Sequence, residues 1–208
     1  MGTPRGCLVC LHGGPGGDLH GNTGVFDQIA ERVAPLGFAT LQFSVYGSPT
    51  SEGHPRDTCL RTQLVDYDSI LNFARKNVAA PIHVVGESAG ATIASMHWLD
   101  DAKSYSLLWP AFDLRDTDLR PYLTGEWWSV VNRDGFLEDN GVVIGRELFT
   151  ELMLTDFAPS FRLPPADVFL AHGTCDQEVP FSQSLRALSN VQGRTFFLAD
   201  HRADHGFK

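Results

Sequence analysis

Six short runs rich in Val, Ile, Leu and Phe recur along the chain, and amphipathic stretches separate them. Apolar runs of this length are typical of buried strands, and amphipathic stretches are typical of helices packed on one side. The predicted strands are residues 6–11, 38–45, 82–85, 105–109, 167–171 and 195–198, and the predicted helices are residues 25–33, 62–77, 89–100 and 182–188. Strand followed by helix, repeated, predicts an α/β fold with a mainly parallel sheet covered by helices on both faces.

Residues 110–165 break this rhythm, because they separate two predicted strands by far more than one crossover helix requires. The segment is rich in aromatic residues, and an Asp-Asn-Gly turn at residues 139–141 lies between two apolar stretches, which predicts a β-hairpin. We therefore predict a core of residues 1–109 and 166–208 that is interrupted by an insertion at residues 110–165.

The composition fits one globular domain, with 208 residues of which 43% are hydrophobic and 20% are charged. The formal net charge of -9 disfavours nucleic acid and anionic membranes as partners, because both would repel the surface. The longest apolar runs fall far short of the roughly 20 residues that span a bilayer. The first strand begins too early to leave room for a signal peptide, so we expect a cytoplasmic protein.

The four cysteines, Cys7, Cys10, Cys59 and Cys175, could form two disulfides, and the first pair could be half of a zinc site. However, Cys7 and Cys10 are three apart in a predicted strand, so their side chains face opposite sides. The sequence also has no second C-x-x-C or H-x-x-x-H pair. We therefore expect buried, reduced cysteines and no metal.

A candidate nucleophile lies in residues 86–90, which read Gly-Glu-Ser-Ala-Gly between a predicted strand and a predicted helix of small residues. A G-x-S-x-G turn in this context strains the backbone of its central serine and leaves no room for side chains at Gly86 and Gly90. Ser88 would then stand at the carboxyl edge of the sheet, beside a helix N-terminus that favours negative charge. A serine in an ordinary glycine-rich turn is the alternative, and the flanking elements favour the nucleophile.

A glycine-rich loop, His-Gly-Gly-Pro-Gly-Gly at residues 12–17, ends the first predicted strand. Acyl transfer needs two N–H donors for its oxyanion, and we expect them from Gly14 in this loop and from Ala89 after the serine. A phosphate-binding loop is the alternative, but both G-x-x-x-x-G-K-[ST] and G-x-G-x-x-G are absent, and Pro15 lacks an amide proton. We expect His12 to hold the loop by hydrogen bonds.

A candidate acid and base follow the last two predicted strands. Asp176 lies just past the fifth strand, where a carboxylate can reach a histidine on the next loop, and Glu178 is the second candidate. The chain order nucleophile, acid, histidine leaves His201 and His205, of which we prefer His205 as general base. Asp176 would fix its tautomer. Asp200 and Asp204 are interpreted as loop-capping carboxylates.

These motifs resemble the α/β-hydrolase superfamily and, within it, carboxylesterases of the serine aminopeptidase-like and cinnamoyl or feruloyl esterase-like groups. Residues 12–14 are similar to the family's oxyanion motif, residues 86–90 to its nucleophile elbow, residues 172–176 to its HG-x-x-D acid loop, and residues 203–207 to its histidine loop. Residues 46–53 are similar to a further family loop, with Tyr46 in place of the usual arginine.

The resemblance implies hydrolysis of carboxylic esters through an acyl-Ser88 intermediate, without metal or organic cofactor. We expect esters with small or aromatic acyl groups, the latter because of the aromatic residues in the insertion. The resemblance also implies that the insertion is a lid or cap that shapes the pocket. From composition alone, Trp127, Trp128 and Phe149 are candidate substrate-binding residues, with the insertion's own small core as the alternative role.

Two other functions stay open. Residues 12–17 also resemble the signature of prolyl iminopeptidases, although those enzymes usually carry Trp where this chain has Ala89, and Glu126 or Glu138 near the pocket would suit a substrate amine. A non-catalytic binding protein of the same fold is the third hypothesis, but such relatives usually lack the serine or the histidine.

Family members normally have two strands before the oxyanion strand and a helix after the histidine, whereas this sequence opens on the oxyanion strand and stops at Lys208. We therefore expect either a minimal member or a fold with a part missing, and a missing part would leave a sheet edge open. A second subunit could complete that edge, so a homodimer is a further hypothesis.

Overall fold

A computed structural model describes residues 2–14 and 16–207, and its centre is a six-stranded sheet in which every neighbouring pair runs parallel. The strands are β1 (Gly6–Leu11), β2 (Phe38–Gln42), β3 (Ile82–Glu87), β4 (Ser104–Leu108), β7 (Asp167–Gly173) and β8 (Thr195–Asp200), in the order β2-β1-β3-β4-β7-β8. β5 (Phe136–Asp139) and β6 (Val142–Gly145) form a separate antiparallel pair. The predicted α/β class and parallel sheet are confirmed.

Six α-helices connect the strands within the described residues: α1 (Val25–Val33), α2 (Leu60–Asn77), α3 (Ala89–Met96), α4 (Gly125–Asp134), α5 (Arg146–Leu154) and α6 (Ser182–Leu188). All of the predicted strands and helices occur. The predicted and observed bounds differ most at the ends of the second strand and the third helix. The second strand ends at Gln42 instead of residue 45, and the third helix ends at Met96 instead of residue 100.

Contacts made outside each element explain both differences. The backbone N–H of Val45 donates to the His12 ring over 3.1 Å, so the chain has left the sheet at this point. After α3, the ring of Trp98 packs edge-on against Tyr105, with 4.7 Å between centroids, and the Leu99 N–H donates to the Tyr105 hydroxyl. These contacts turn the chain away from the helical path.

The sheet separates two layers of the core. On one side, Cys7 and other β1 residues pack with Tyr67 and Leu71 of α2. On the other side, Leu8 and Cys10 pack with Phe26 of α1. Cys7 and Cys10 therefore face opposite sides, as their spacing predicts.

The four cysteines are free, and Cys7, Cys10 and Cys59 are buried. The expectation of burial is wrong for Cys175, which is exposed. Its thiol lies in the loop after β7 and points at the carbonyl oxygen of His201.

Helices lie on both faces of the sheet, but the face carrying α1 is covered only in part. Phe169, Phe196 and Leu198, on β7 and β8, are 37%, 56% and 49% exposed on this side. β2 has no neighbour on its outer edge within the described part of the chain. The homodimer that would complete this edge stays a prediction.

The insertion at residues 110–165 contains α4, the β5–β6 hairpin and α5. The predicted hairpin is present, and both turn residues, Asn140 and Gly141, have positive φ values, as a two-residue turn of this kind requires. Side chains of the insertion, including Val131 and Leu137, join the same hydrophobic cluster as the sheet. The insertion therefore packs onto the core, and its role as a lid stays a prediction.

Candidate active site

Ser88 occupies a sharp turn between β3 and α3, with φ 49° and ψ -121°. This backbone region is strained for any residue with a side chain. Hydrogen bonds hold the turn on both sides, because the Ser88 N–H donates to the carbonyl oxygen of Leu108 and the Ser88 carbonyl accepts from the N–H groups of Ala91 and Ala111. A Cβ at Gly90 would collide with the carbonyl oxygen of Leu11, which explains the small residue after the turn.

The structure brings three predicted residues into one hydrogen-bonded chain. Ser88 Oγ lies 3.1 Å from His205 Nε2, and His205 Nδ1 lies 2.8 Å from Asp176 Oδ2. Burial alone would lower the pKa of His205, but the hydrogen bond and negative charge of Asp176 outweigh it and raise that pKa above its usual value. The other candidate histidine, His201, is exposed and makes no contact of this kind.

Asp176 is held by donors on both carboxylate oxygens. Oδ1 accepts from the N–H groups of Glu178 and Val179 at 2.9 and 2.8 Å, while Oδ2 faces His205 and, at 3.1 Å, His172 Nε2. Burial of Asp176 would raise its pKa, but the hydrogen bonds from His172 and His205 hold that pKa well below its usual range. The carboxylate therefore stays ionised.

His172 is fully buried, and the sequence analysis gave it no role beyond its place in a motif. Its Nδ1 lies 2.7 Å from Ser184 Oγ, and its Nε2 also lies 3.1 Å from the Val179 carbonyl oxygen. Because both neighbours of Nε2 are acceptors, that nitrogen carries the proton and donates toward Asp176. The spacing of four residues between His172 and Asp176 was the only signal of this contact in the sequence.

The glycine-rich loop after β1 lies directly against the serine turn. A Cβ at Gly13 would stand 2.9 Å from Ser88 Cβ, and one at Gly14 would stand 3.9 Å from Ala89 Cβ. His12 holds the loop as predicted, with Nδ1 2.6 Å from the Gly13 carbonyl oxygen and Nε2 accepting from the chain after β2. Pro15 lies outside the described residues.

Glu87 is a buried carboxylate beside Ser88 that the sequence analysis did not single out. Its Oε1 accepts from the N–H groups of Gly13 and Asn22 at 3.3 and 2.8 Å, so it ties the glycine-rich loop to the serine turn. Its Oε2 is buried and has no hydrogen-bond partner within residues 2–14 and 16–207. Burial raises the pKa of Glu87. A charged residue at the buried end of β3, directly before the serine, was the available signal.

Two cavities meet at Ser88. The first, which we call the apolar cavity, borders Ser88 and Ala89, and Asp118 and Glu178 also line it. One part of its wall is a group of aliphatic side chains: Leu114, Leu119, Val142, Val143, Ile144 and Leu148. The second, the polar cavity, borders Ser88 and His205, and its wall comes from the glycine-rich loop and from polar side chains: Asp18, Asn22, Thr23, Glu87 and Glu178.

The aromatic residues predicted to bind substrate are not at these cavities. Among the described lining residues of either cavity, Trp127, Trp128 and Phe149 do not occur. Trp127 packs against Tyr122, and Trp128 packs against the buried Phe149 with 5.3 Å between ring centroids. This corrects the expectation, because these aromatic rings pack with one another and the aliphatic hairpin faces the cavity.

The carboxylates that line the cavities at Ser88 are not the two that were expected to bind a substrate amine. Neither Glu126 nor Glu138 lines a cavity at Ser88 in the described part of the chain, whereas Asp118 and Glu178 do. Glu178, the second candidate acid, is an exposed loop residue, and its Oε2 lies 3.7 Å from His205 Nε2. Burial raises the pKa of Asp118.

Solved structures of other proteins share this architecture. Est1E from Butyrivibrio proteoclasticus, solved with ferulic acid bound, matches with a TM-score of 0.79 and 18% identity over 100% of this chain and 84% of that chain. The chain has the α/β-hydrolase fold. A monoacylglycerol lipase from Paleococcus ferrophilus matches with a TM-score of 0.77 and 19% identity over 98% of this chain and 88% of that one.

Mouse alpha/beta hydrolase domain-containing protein 10 matches this α/β-hydrolase chain with a TM-score of 0.71 and 18% identity, over 96% of this chain and 81% of that one. No family model and no curated protein matches the sequence.

Two further properties concern metals and membranes. In the described ranges, His, Cys, Asp and Glu side chains form no group of three or more that could hold a metal ion. Over the same residues, none of the helices has both the length and the apolar character that crossing a bilayer requires.

Proposed function

We propose that this α/β-hydrolase-fold protein is a serine hydrolase that cleaves carboxylic esters through an acyl-Ser88 intermediate. The observation that supports this most directly is the chain of contacts from Ser88 Oγ to His205 Nε2 and from His205 Nδ1 to Asp176, at the junction of two cavities. A hydroxyl, an imidazole and a buried carboxylate in this order are the parts that nucleophilic acyl transfer needs.

In the proposed reaction, Ser88 Oγ attacks the ester carbonyl carbon while His205 Nε2 takes the hydroxyl proton. The N–H groups of Gly14 and Ala89 stabilise the resulting oxyanion, and each such donor typically contributes about 3 kcal/mol to catalysis. The C–O bond then breaks, and the leaving alcohol receives the proton from His205. Water then attacks the carbonyl carbon of acyl-Ser88 while His205 Nε2 takes a proton from it. The bond from that carbon to Ser88 Oγ breaks as His205 returns the proton to Oγ, and the carboxylic acid is released. The route uses only side chains, backbone amides and water.

The aliphatic wall of the apolar cavity favours an aliphatic acyl group. This wall includes residues of β6 and α5, so we propose that the insertion acts as a lid in the sense of forming one side of the substrate pocket. An ester substrate also agrees with the name of one protein of similar fold, a monoacylglycerol lipase.

A fluorophosphonate probe and a p-nitrophenyl ester test the proposal together. We expect the probe to label Ser88, identified by peptide mass spectrometry, and p-nitrophenyl butyrate to give a product burst followed by steady turnover. Ser88→Ala should abolish both. Ser69→Ala, which changes an exposed serine on α2, is the matched control and should retain both. A folded wild-type protein that neither reacts with the probe nor hydrolyses the ester would instead be a binding protein of this fold.

A serine aminopeptidase similar to prolyl iminopeptidases is the second candidate. The observation that favours it is the presence of Asp118 and Glu178 in the wall beside Ser88, because carboxylates can bind the free amine of a peptide substrate. Turnover of proline p-nitroanilide with a higher kcat/KM than that of p-nitrophenyl butyrate would favour this activity over esterase activity.

A further inference from the structure

The two cavities at Ser88 differ in both chemistry and neighbours. Ala89, the proposed second oxyanion donor, borders the apolar cavity, whereas His205 borders the polar cavity, and neither residue is among the described lining residues of the other one. The ester carbonyl carbon must sit at Ser88 Oγ, so the two halves of an ester would extend from that point in two different directions.

The position of His205 assigns the two halves. A general acid must lie within hydrogen-bonding distance of the atom that it protonates, and the leaving alcohol oxygen is the atom that receives the proton from His205 Nε2. The alcohol half of the substrate therefore lies on the side of the polar cavity. The acyl half extends toward the apolar cavity, where aliphatic side chains can cover it.

The polar cavity has a definite electrostatic character. Its wall includes three carboxylates, Asp18, Glu87 and Glu178, and among the described residues that line it there is no Lys or Arg. Glu87 is only 1% exposed, and its Oε2 lacks a hydrogen-bond partner within the described ranges. Buried acceptors without donors favour a ligand that brings donors, and carboxylates disfavour a ligand with negative charge.

We infer that the natural substrate joins an aliphatic acyl group to a hydroxyl-bearing, uncharged alcohol, and that the polar cavity receives this alcohol. The inference rests on the proposed esterase function and adds the substrate class. It excludes anionic alcohols such as phosphate-bearing or carboxylate-bearing ones, because Asp18 and Glu178 would repel them and the described wall has no Lys or Arg to compensate.

Three esters of butyric acid with alcohols of similar size test this inference on the intact protein: propyl butyrate, 2-hydroxyethyl butyrate and butyryloxyacetate. Each kcat/KM is divided by the rate constant for alkaline hydrolysis of the same ester, which removes differences in intrinsic reactivity. We expect the normalised value for 2-hydroxyethyl butyrate to exceed that for propyl butyrate by about tenfold, as one hydrogen bond to a charged group allows. We expect butyryloxyacetate to fall below propyl butyrate by a similar factor.

Variants locate the effect. Asp18→Asn, at a carboxylate that lines the polar cavity alone, should reduce the discrimination against butyryloxyacetate several-fold, whereas Glu31→Gln, at a carboxylate on α1 away from the cavity, should leave it unchanged. Leu148→Phe should lower activity on hexanoyl relative to acetyl esters without changing the ratio between the alcohols, because Leu148 lines the apolar cavity.

Equal normalised values for the three esters, or a preference for propyl butyrate, would overturn the inference while leaving the esterase activity in place. A change of alcohol preference in Leu148→Phe would overturn the assignment of the two cavities. Absence of Ser88 labelling together with absence of hydrolysis of every ester would instead overturn the proposed function itself.

Discussion

The substitution Asp176→Asn tests how the proposed acid acts, and the structure determines which way the new amide must face. Oδ1 accepts hydrogen bonds from two backbone N–H groups, those of Glu178 and Val179. Only an oxygen can accept from them, so the amide oxygen of the asparagine must take this position. The amide NH2 then replaces Oδ2, opposite His205 Nδ1.

An NH2 group at this point reverses the tautomer of His205. It donates to Nδ1, which must then be unprotonated, so the proton moves to Nε2 and faces the Ser88 hydroxyl. A protonated Nε2 cannot take the serine proton. In the Ser-His-Asp template, the corresponding change lowers kcat by about 10⁴, which corresponds to about 5.4 kcal/mol of activation free energy.

The variant should also lose stability, because the same NH2 group faces the proton on His172 Nε2. Two opposed buried donors cost about 1–3 kcal/mol. The two effects are separated by measuring kcat for p-nitrophenyl butyrate at 25 °C on protein shown to be folded by circular dichroism, and thermal unfolding in a second experiment.

The control is Asp200→Asn. Among the contacts described for the Asp200 side chain, the carboxylate accepts only from the backbone N–H of Arg202, two residues later. This variant should retain kcat within about twofold. An Asp176→Asn variant that is folded and keeps more than a tenth of the wild-type kcat would refute the argument from the tautomer.

Three further predictions concern the loop, the base and the core. Gly13→Ala places a Cβ 2.9 Å from that of the nucleophile, so the loop must shift, and we expect kcat/KM to fall about 100-fold, as for loss of one oxyanion donor; an unchanged kcat/KM would contradict this. Activity requires neutral His205. Burial alone would lower its pKa, but the hydrogen bond and charge of Asp176 raise it, so the acid limb of the kcat/KM against pH profile should have its midpoint above 6.5; a midpoint at or below 6.5 would contradict this. Leu170→Ala, in the fully buried centre of β7, should cost about 2–5 kcal/mol in the free energy of unfolding by urea, whereas Leu154→Ala, 79% exposed, should change it by less than about 0.5 kcal/mol.

Local sequence patterns were enough to predict the sheet, because each strand is a short run rich in apolar residues, even in β2 and β8, which contain no fully buried residue. The predicted bounds of β1, α1 and α6 agree with the structure at both ends. Element ends that depend on distant partners could not be predicted in this way. The end of α3 depends on contacts of Trp98 and Leu99 with Tyr105 in the next strand, and no local signal specifies them.

The same distinction applies to the candidate site. Ser88, Asp176 and His205 could be placed because each follows a strand at the carboxyl edge of a parallel sheet, where loops far apart in sequence meet. The cavity wall could not be derived from composition. Trp128 packs against Phe149 and Trp127 packs against Tyr122, and the direction in which an aromatic side chain points inside an insertion depends on tertiary packing. Their abundance therefore gave no information about which face meets Ser88.

The positive φ of Ser88 has a consequence for how this protein could change over evolutionary time. A side chain in this backbone region costs about 1–3 kcal/mol, whereas glycine adopts it freely and loses only about 0.5–1 kcal/mol through added chain entropy. Glycine, which has no reactive side chain, is thus the most stabilising residue at this position of the turn. In any lineage in which selection for catalysis has ceased, glycine should be the first residue to replace Ser88. The fold would then be retained after the activity is lost.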